Sequence, residues 1–230
     1  MSLRFNKTAM QIVESLYNAF SDAPRPAKIE GCRHCIPEED IQTLLGQKLR
    51  ECDPKILWRY MDDAIWTVGN ELDFKYYVPR ILELGLTAYN FNDAQGSFIA
   101  FPETFGKKLA LAGFNNWDEA KRVSVDNVIF AIMKEEARRQ EYYNFEGWMC
   151  AICNINVDKT RYLDFLDSEA GQNARDSFLV SHRSAYTHKC LQGEFWDELD
   201  AEKTNVVYQW LLERKDVSDI ALGRHRRAQR

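Results

Sequence analysis

The sequence predicts an all-α fold, as an irregular bundle or an array of antiparallel helical hairpins with at most one short pair of strands. Apolar residues recur every three or four positions along most of the chain, and prolines, glycines and capping residues stand where these stretches begin and end. The links between the stretches are short, which is typical of antiparallel neighbours. We expect one helical domain over residues 1–216 and a basic, flexible C-terminal tail over residues 217–230.

Two helices are predicted at the start of the chain. Residues 12–20 place Ile, Val, Leu, Tyr and Phe at helical spacing, and this helix should end before Pro24. Pro37 should open the second helix, because its missing donor costs nothing in a first turn. The acidic residues 38–40 that follow it favour the helix dipole.

The third helix is predicted from Asp53 to Gly69. Asp53 can accept hydrogen bonds from the unpaired backbone N–H groups of the first turn, and Pro54 suits the first helical position. Gly69 can adopt the left-handed conformation that ends a helix. The residues between them form one continuous apolar stripe, which indicates a helix with one buried face.

The pattern over residues 73–86 is again helical, and Pro79 should either start a new helix there or kink this one. Residues 87–101 are the best candidate for a strand, because Phe98, Ile99 and Phe101 form a short apolar run. We expect no more than one brief strand in this segment.

Residues 102–112 should form a helix that Gly113 closes, and Asn116 with Glu119 should form the capping box of a long helix after it. The second half of the chain then adds further helical stretches. These are predicted at residues 145–153, 159–166, 169–186 and 201–214.

Composition and charge limit the possible functions. Hydrophobic content of 45% and charged content of 28% are those of an ordinary globular protein. The N-terminus lacks the apolar run of a secretory signal, and no stretch approaches the length of a membrane span, so a cytosolic location is expected. A net charge of −5 disfavours general binding to nucleic acid and suits a basic protein partner.

The most informative short motif is Cys32-Arg33-His34-Cys35. Two thiolates at this spacing can bind one tetrahedral metal ion or act as a redox dithiol. The pair lies just before a predicted helix N-terminus, a position that lowers the pKa of a cysteine. Residues 26–31 do not resemble the buried strand that precedes such a motif in thioredoxin-like proteins, so the redox interpretation stays an alternative.

Zinc is the metal that this cysteine pair could bind. A second pair, Cys150 and Cys153, could complete a four-thiolate site, although it lies in a stretch typical of a buried helix. A smaller site could combine the first pair with His34 or Cys52. The absence of any metal is the remaining alternative.

No other constellation points to chemistry. His182 and His188 are six residues apart, which is poor spacing for one helical face, and they are interpreted as surface or capping histidines. Adjacent acids such as Asp62 and Asp63 are interpreted as solvated. The common phosphate-binding, hydrolase and metalloprotease motifs are missing, so no enzymatic activity is predicted.

One segment resembles an uncharacterised group of bacterial cytosolic helical proteins. The resemblance covers residues 29–88, follows the rest of the chain more loosely, and leaves out the second cysteine pair. It implies a bacterial protein of helical type and brings no established activity. It rests on Gly31 to Cys35, on Tyr60, Ala64, Thr67 and Gly69, and on Asp73, Phe74, Lys75, Val78, Pro79, Arg80 and Glu83.

The leading functional expectation is a non-enzymatic protein-binding domain, of the kind that acts as an immunity or antitoxin partner of a bacterial toxin. It rests on the acidic chain, the many aromatic residues and the lack of catalytic motifs. One alternative is a thiol- or metal-dependent protein that uses Cys32 and Cys35. Another is a scaffold subunit of a larger assembly.

Overall fold

The computed structural model describes residues 7–87, 97–140, 142–193 and 196–220. Over these residues the protein is all-α, as predicted, and its only β-type pairing consists of isolated bridges from Val68 to Gly31 and to Ala64. The helices are α1 (Lys7–Ala19), α2 (Glu38–Gly46), α3 (Pro54–Asp63), α4 (Glu71–Thr87), α5 (Pro102–Leu111), α6 (Glu119–Arg139), α7 (Tyr142–Asn154), α8 (Thr160–Asp167), α9 (Gln172–Ser181), α10 (Ala185–His188) and α11 (Ala201–Leu212).

The chain divides into two compact units, one formed by Met1–Ala100 with Lys107–Ile132 and the other by Phe101–Gly106 with Met133–Arg230. In the first unit α4 packs against α1 and α3, and in the second α7 packs against α9 and α11. Each unit buries large aromatic side chains, which fill the gaps between helices. None of the helices in the described ranges is long and apolar enough to cross a bilayer.

The start of α3 follows the prediction, but its end does not. The Asp53 carboxylate accepts from the backbone N–H groups of Lys55 and Ile56 at 2.9 and 3.1 Å. The predicted extension to Gly69 is wrong, because the helix ends at Asp63 and Ile65 has a φ of 70°. Residues 64–69 turn away from the helix axis and form one wall of the site described below.

Two other predictions in the first unit also need correction. Residues 98–100 form bends rather than a strand, with Phe98 and Ile99 buried in the core. Of the rest of the predicted strand segment, Thr87 ends α4 and residues 88–96 lie outside the described residues. The cap of α6 is Asp118, which accepts from the Lys121 backbone at 3.0 Å, and Asn116 lies in the preceding turn.

Pro79 lies inside the continuous helix α4 and starts no new helix. The predicted helix over residues 169–186 is divided into a short turn, α9 and the beginning of α10. Residues 215–220 are helical, and the buried Ser218 hydroxyl donates to the Leu179 carbonyl at 3.2 Å. The first four residues of the predicted tail therefore belong to the second unit, and residues 221–230 lie outside the described part of the chain.

Candidate functional site

The Cys32–Cys35 turn is built on two backbone hydrogen bonds to the segment after α3. The Cys32 N–H donates to the Thr67 carbonyl at 2.8 Å, and the Gly69 N–H donates to the Glu30 carbonyl at 2.6 Å. Gly31 lies between these bonds with a φ of 142°, and a Cβ on it would stand 2.3 Å from the Thr67 oxygen. Only glycine fits this position, so the close approach of the two segments depends on it.

Buried isoleucines hold both ends of the turn. Ile29 precedes it and Ile36 follows it, and both side chains are buried in the first unit. The Ile36 N–H also donates to the Cys32 carbonyl at 3.2 Å, which closes the turn. The two thiols between these anchors remain half-buried, and the turn thus presents them from a fixed backbone.

The Cys32 sulfur has neighbours that favour its thiolate. The Cys35 side chain and the backbone N–H groups of Cys35 and His34 stabilise its negative charge. These interactions lower the pKa of Cys32 below its usual value, although partial burial and the nearby Asp63 carboxylate act in the opposite direction. Cys32 is therefore the thiol of the pair that ionises first.

Cys35 has the opposite character. The Thr67 hydroxyl lies 3.3 Å from its sulfur and favours the thiolate. The interaction with Cys32, together with burial and the charge of Asp63, outweighs this effect and raises the pKa of Cys35. The site therefore pairs one thiol that ionises readily with one that retains its proton.

A buried lysine supports the wall that carries Thr67. Lys108 of α5 is only 1% exposed, and its ammonium group donates to the carbonyls of Met61 and Asp62 at the end of α3. Burial lowers the pKa of Lys108 to about 8, while Asp62 and Asp63 oppose that change. The ring of Trp66, itself 53% exposed, lies 4.4 Å from the Lys108 ammonium. These contacts fix the turn after α3.

The donor set around the thiols suits a dithiol better than a metal centre. A structural zinc site takes four ligands, usually Cys and His. Thr67, the side chain that contacts Cys35, offers a hydroxyl, while the predicted ligand Cys52 is buried and donates to the Lys48 carbonyl at 3.5 Å. In the described ranges no group of three or more His, Cys, Asp or Glu side chains could hold a metal ion.

The second cysteine pair lies in the other unit. Cys150 and Cys153 are both buried in α7, and burial raises the pKa of Cys153 to about 12. All six cysteines of the chain are described, and each is a thiol rather than half of a disulfide. Cys190 is exposed, so it is the cysteine outside the candidate site that reagents in solution can reach.

Of the two positions expected for His182, the helix end is confirmed and the surface is not. His182 stands at the end of α9, but it is only 3% exposed and packs against the rings of Phe178 and Trp196. Its Nε2 lies 3.0 Å from Glu146 Oε1, and Trp196 donates to the same oxygen at 3.2 Å. His188, by contrast, is exposed as expected.

A cavity in the first unit offers less chemistry. It has a volume of about 300 Å³, and its charged groups satisfy one another: Arg50 binds both oxygens of Glu14 at 2.7 Å, and Tyr17 donates to Glu83 at 2.6 Å. The lining residues are Met10, Val13, Glu14, Arg50, Glu83 and Thr87.

Sequence reasoning found the cysteine pair but missed the contribution of Asp63. Asp63 was interpreted as solvated, whereas it lies within 3.4 Å of the Thr67 hydroxyl and its charge acts on both thiols. The i, i+4 spacing of Asp63 and Thr67 was the available signal, since such residues face each other on one turn.

Comparison with protein-family models, with curated proteins and with solved structures gave no match.

Proposed function

We propose that the first unit carries a redox-active dithiol that exchanges with a disulfide of a partner molecule. The observation that supports this most strongly is the turn whose backbone hydrogen bonds fix two half-buried thiols, with the Thr67 hydroxyl 3.3 Å from the Cys35 sulfur. The surroundings of Cys32 lower its pKa and so favour its thiolate. Thiolates are the species that attack disulfides, so Cys32 is assigned as the attacking group.

The exchange takes two steps. The Cys32 thiolate attacks one sulfur of the partner disulfide, a mixed disulfide forms, and the first partner thiolate leaves. The Cys35 sulfur then attacks Cys32, so that the Cys32–Cys35 bond forms and the second partner thiolate leaves. Two protein thiols are oxidised and one disulfide is reduced, and the thiol protons pass to the solvent or to the leaving thiolates. The reverse sequence oxidises a dithiol partner.

Trapping the mixed disulfide tests this proposal. In a Cys190→Ser background, which removes the exposed competing thiol, Cys35→Ser keeps the attacking thiol and removes the resolving one. We expect this variant to accumulate a mixed disulfide on Cys32 when it is mixed with an aromatic disulfide. The matched variant Cys32→Ser should react at about a tenth of this rate or below, because Cys35 lacks the backbone N–H groups that stabilise the Cys32 thiolate. Peptide mass spectrometry locates the adduct.

The two variants also show how the proposal would fail. Equal reaction rates for Cys35→Ser and Cys32→Ser would contradict the assignment of Cys32 as the attacking thiol. If a Cys32→Ser, Cys35→Ser double variant is modified as fast as the parent, the reacting thiol is a different cysteine. Circular dichroism should confirm that all three proteins are folded.

This proposal develops the thiol-dependent alternative that the sequence analysis raised. The expectation of a non-enzymatic domain that binds a basic protein, as an immunity or antitoxin partner, stays a prediction. The two ideas are compatible where the partner molecule is a protein that carries the disulfide. Zinc binding through Cys32 and Cys35 also stays a prediction, and metal analysis of the purified protein tests it.

A further inference from the structure

The Thr67 hydroxyl stands between the resolving thiol and a carboxylate. Its Oγ1 lies 3.3 Å from the Cys35 sulfur and 3.4 Å from Asp63 Oδ1. The Thr67 hydroxyl is placed to donate to either group, but it has one proton. When it donates this proton to Asp63, its lone pairs can accept a hydrogen bond from Cys35. The three groups thus form a continuous hydrogen-bonding path that begins at a reacting atom.

The proposed exchange creates a need for such a path. In the reduced site the Cys35 side chain stabilises the Cys32 thiolate. Once Cys32 is part of a mixed disulfide it carries no negative charge, and this interaction loses most of its strength. Cys35 must still lose its proton before its sulfur can attack, since the thiolate is the nucleophile.

The other charged groups around the site are poor proton acceptors. Arg33, in the same turn, is paired with Glu38 at 2.6 Å, and a guanidinium accepts no proton. Lys108 of α5 acts on Asp62 and Asp63 as a positive charge, and its ammonium donates to carbonyls. His34 is exposed, and Asp63 is the carboxylate that Thr67 contacts.

We infer that Thr67 passes the proton of Cys35 to Asp63 as Cys35 attacks the mixed disulfide. The S–H bond of Cys35 breaks and its proton goes to Thr67 Oγ1, while the hydroxyl proton of Thr67 goes to Asp63 Oδ1. The electron pair left on Cys35 forms the bond to Cys32, and the partner thiolate leaves with the pair of the broken S–S bond. This inference rests on the proposed dithiol function. Thr67 touches the reacting sulfur, and Asp63 acts through Thr67.

Rapid-mixing kinetics with a bis(nitrothiobenzoate) disulfide separate the two steps. In the Cys190→Ser protein the attack by Cys32 releases one coloured aryl thiolate, and the resolution by Cys35 releases a second. The first phase depends on the reagent concentration and the second does not, because resolution is intramolecular. The two rate constants can therefore be assigned without a variant.

Asp63→Asn should change the two phases in opposite directions. The carboxylate raises the pKa of Cys32, so its removal increases the thiolate fraction and should speed the first phase about two- to threefold. The second phase should slow about tenfold or more, because the proton acceptor is lost. Below the pKa of Cys35 its rate should then rise about tenfold per pH unit, and it should approach the parent rate at high pH.

Matched variants separate this role from a general effect of charge. Asp62→Asn removes the same charge one residue away and should leave the second phase unchanged. Thr67→Val should slow the second phase about as much as Asp63→Asn, and Thr67→Ser should restore it, since serine keeps the hydroxyl. Thr43→Val is the control for losing a threonine hydroxyl, because Thr43 donates to the Glu39 carbonyl within α2.

Two results would overturn the inference. If Asp63→Asn speeds both phases, the carboxylate acts only through its charge. If Thr67→Val and Thr67→Ser resolve the mixed disulfide equally fast, the hydroxyl transfers no proton. Failure of the underlying function looks different, because the Cys190→Ser parent would then release no second aryl thiolate at all.

Discussion

Replacing Gly31 by alanine is expected to lower the free energy of unfolding by about 2–4 kcal/mol. The new Cβ would stand 2.3 Å from the Thr67 carbonyl oxygen and 2.6 Å from the Val68 Cα, and both are backbone atoms that cannot rotate away. The φ of 142° is itself unfavourable for a residue with a side chain. Urea unfolding of the variant and the parent measures the difference.

Gly46→Ala is the matched control for this substitution. Gly46 is the last residue of α2, and no atom lies within 4 Å of a Cβ built on it. Alanine favours the helix by up to about 1 kcal/mol over glycine, so this variant should be as stable as the parent or slightly more stable. Equal free energies of unfolding for Gly31→Ala and Gly46→Ala would contradict the close approach of residues 30–32 to residues 67–69.

Replacing Glu146 by glutamine is expected to lower the free energy of unfolding by about 2–3 kcal/mol at neutral pH, by destabilising the second unit. The Glu146 carboxylate accepts from Trp196 and lies 3.0 Å from the buried His182 ring, so the substitution removes the charge that faces this imidazole. Glu213→Gln is the control. Its exposed contact with Arg214 at 3.3 Å should contribute no more than about 0.5 kcal/mol.

The contribution of Glu146 to stability should depend on pH. Burial opposes ionisation of Glu146, but the contacts with His182 and Trp196 outweigh it and lower its pKa below the ordinary value of about 4.5. A carboxyl group with a lowered pKa in the folded state contributes stability above its ordinary pKa and loses it as the pH falls through the folded one. The parent should therefore lose stability over this range more steeply than Glu146→Gln. If the stability of both proteins changes with pH in the same way, the contacts of Glu146 with His182 and Trp196 are contradicted.

The sequence was sufficient for features that depend on neighbouring residues. The buried stripe of α1 and the cap at Asp53 involve positions within a few residues of one another, so periodicity and capping rules locate them. The end of α3 was missed because it depends on Lys108, which is 46 residues from Asp62 in the chain, and on the positive φ of Ile65. Neither has a local sequence signal.

In the candidate site, too, some features depend on neighbouring residues and others on residues far apart in the chain. The spacing of Cys32 and Cys35 is visible in the sequence, and it indicated thiol chemistry. The contact between Cys35 and Thr67 joins residues 32 positions apart, so it depends on the fold. The order in which the thiols ionise, and the effect of the Asp63 charge on them, could be identified only after the turn that follows α3 had been placed.

The most direct test of the central claim is the equilibrium of the Cys190→Ser protein with buffers of reduced and oxidised glutathione. After the remaining thiols are alkylated, mass spectrometry reports the state of Cys32 and Cys35 at each ratio. The dithiol account predicts that the two thiols are lost together, as a two-electron couple, with Cys32 and Cys35 joined in one linked peptide. It is contradicted if both stay reduced in the most oxidising buffer, or if each becomes glutathionylated independently of the other.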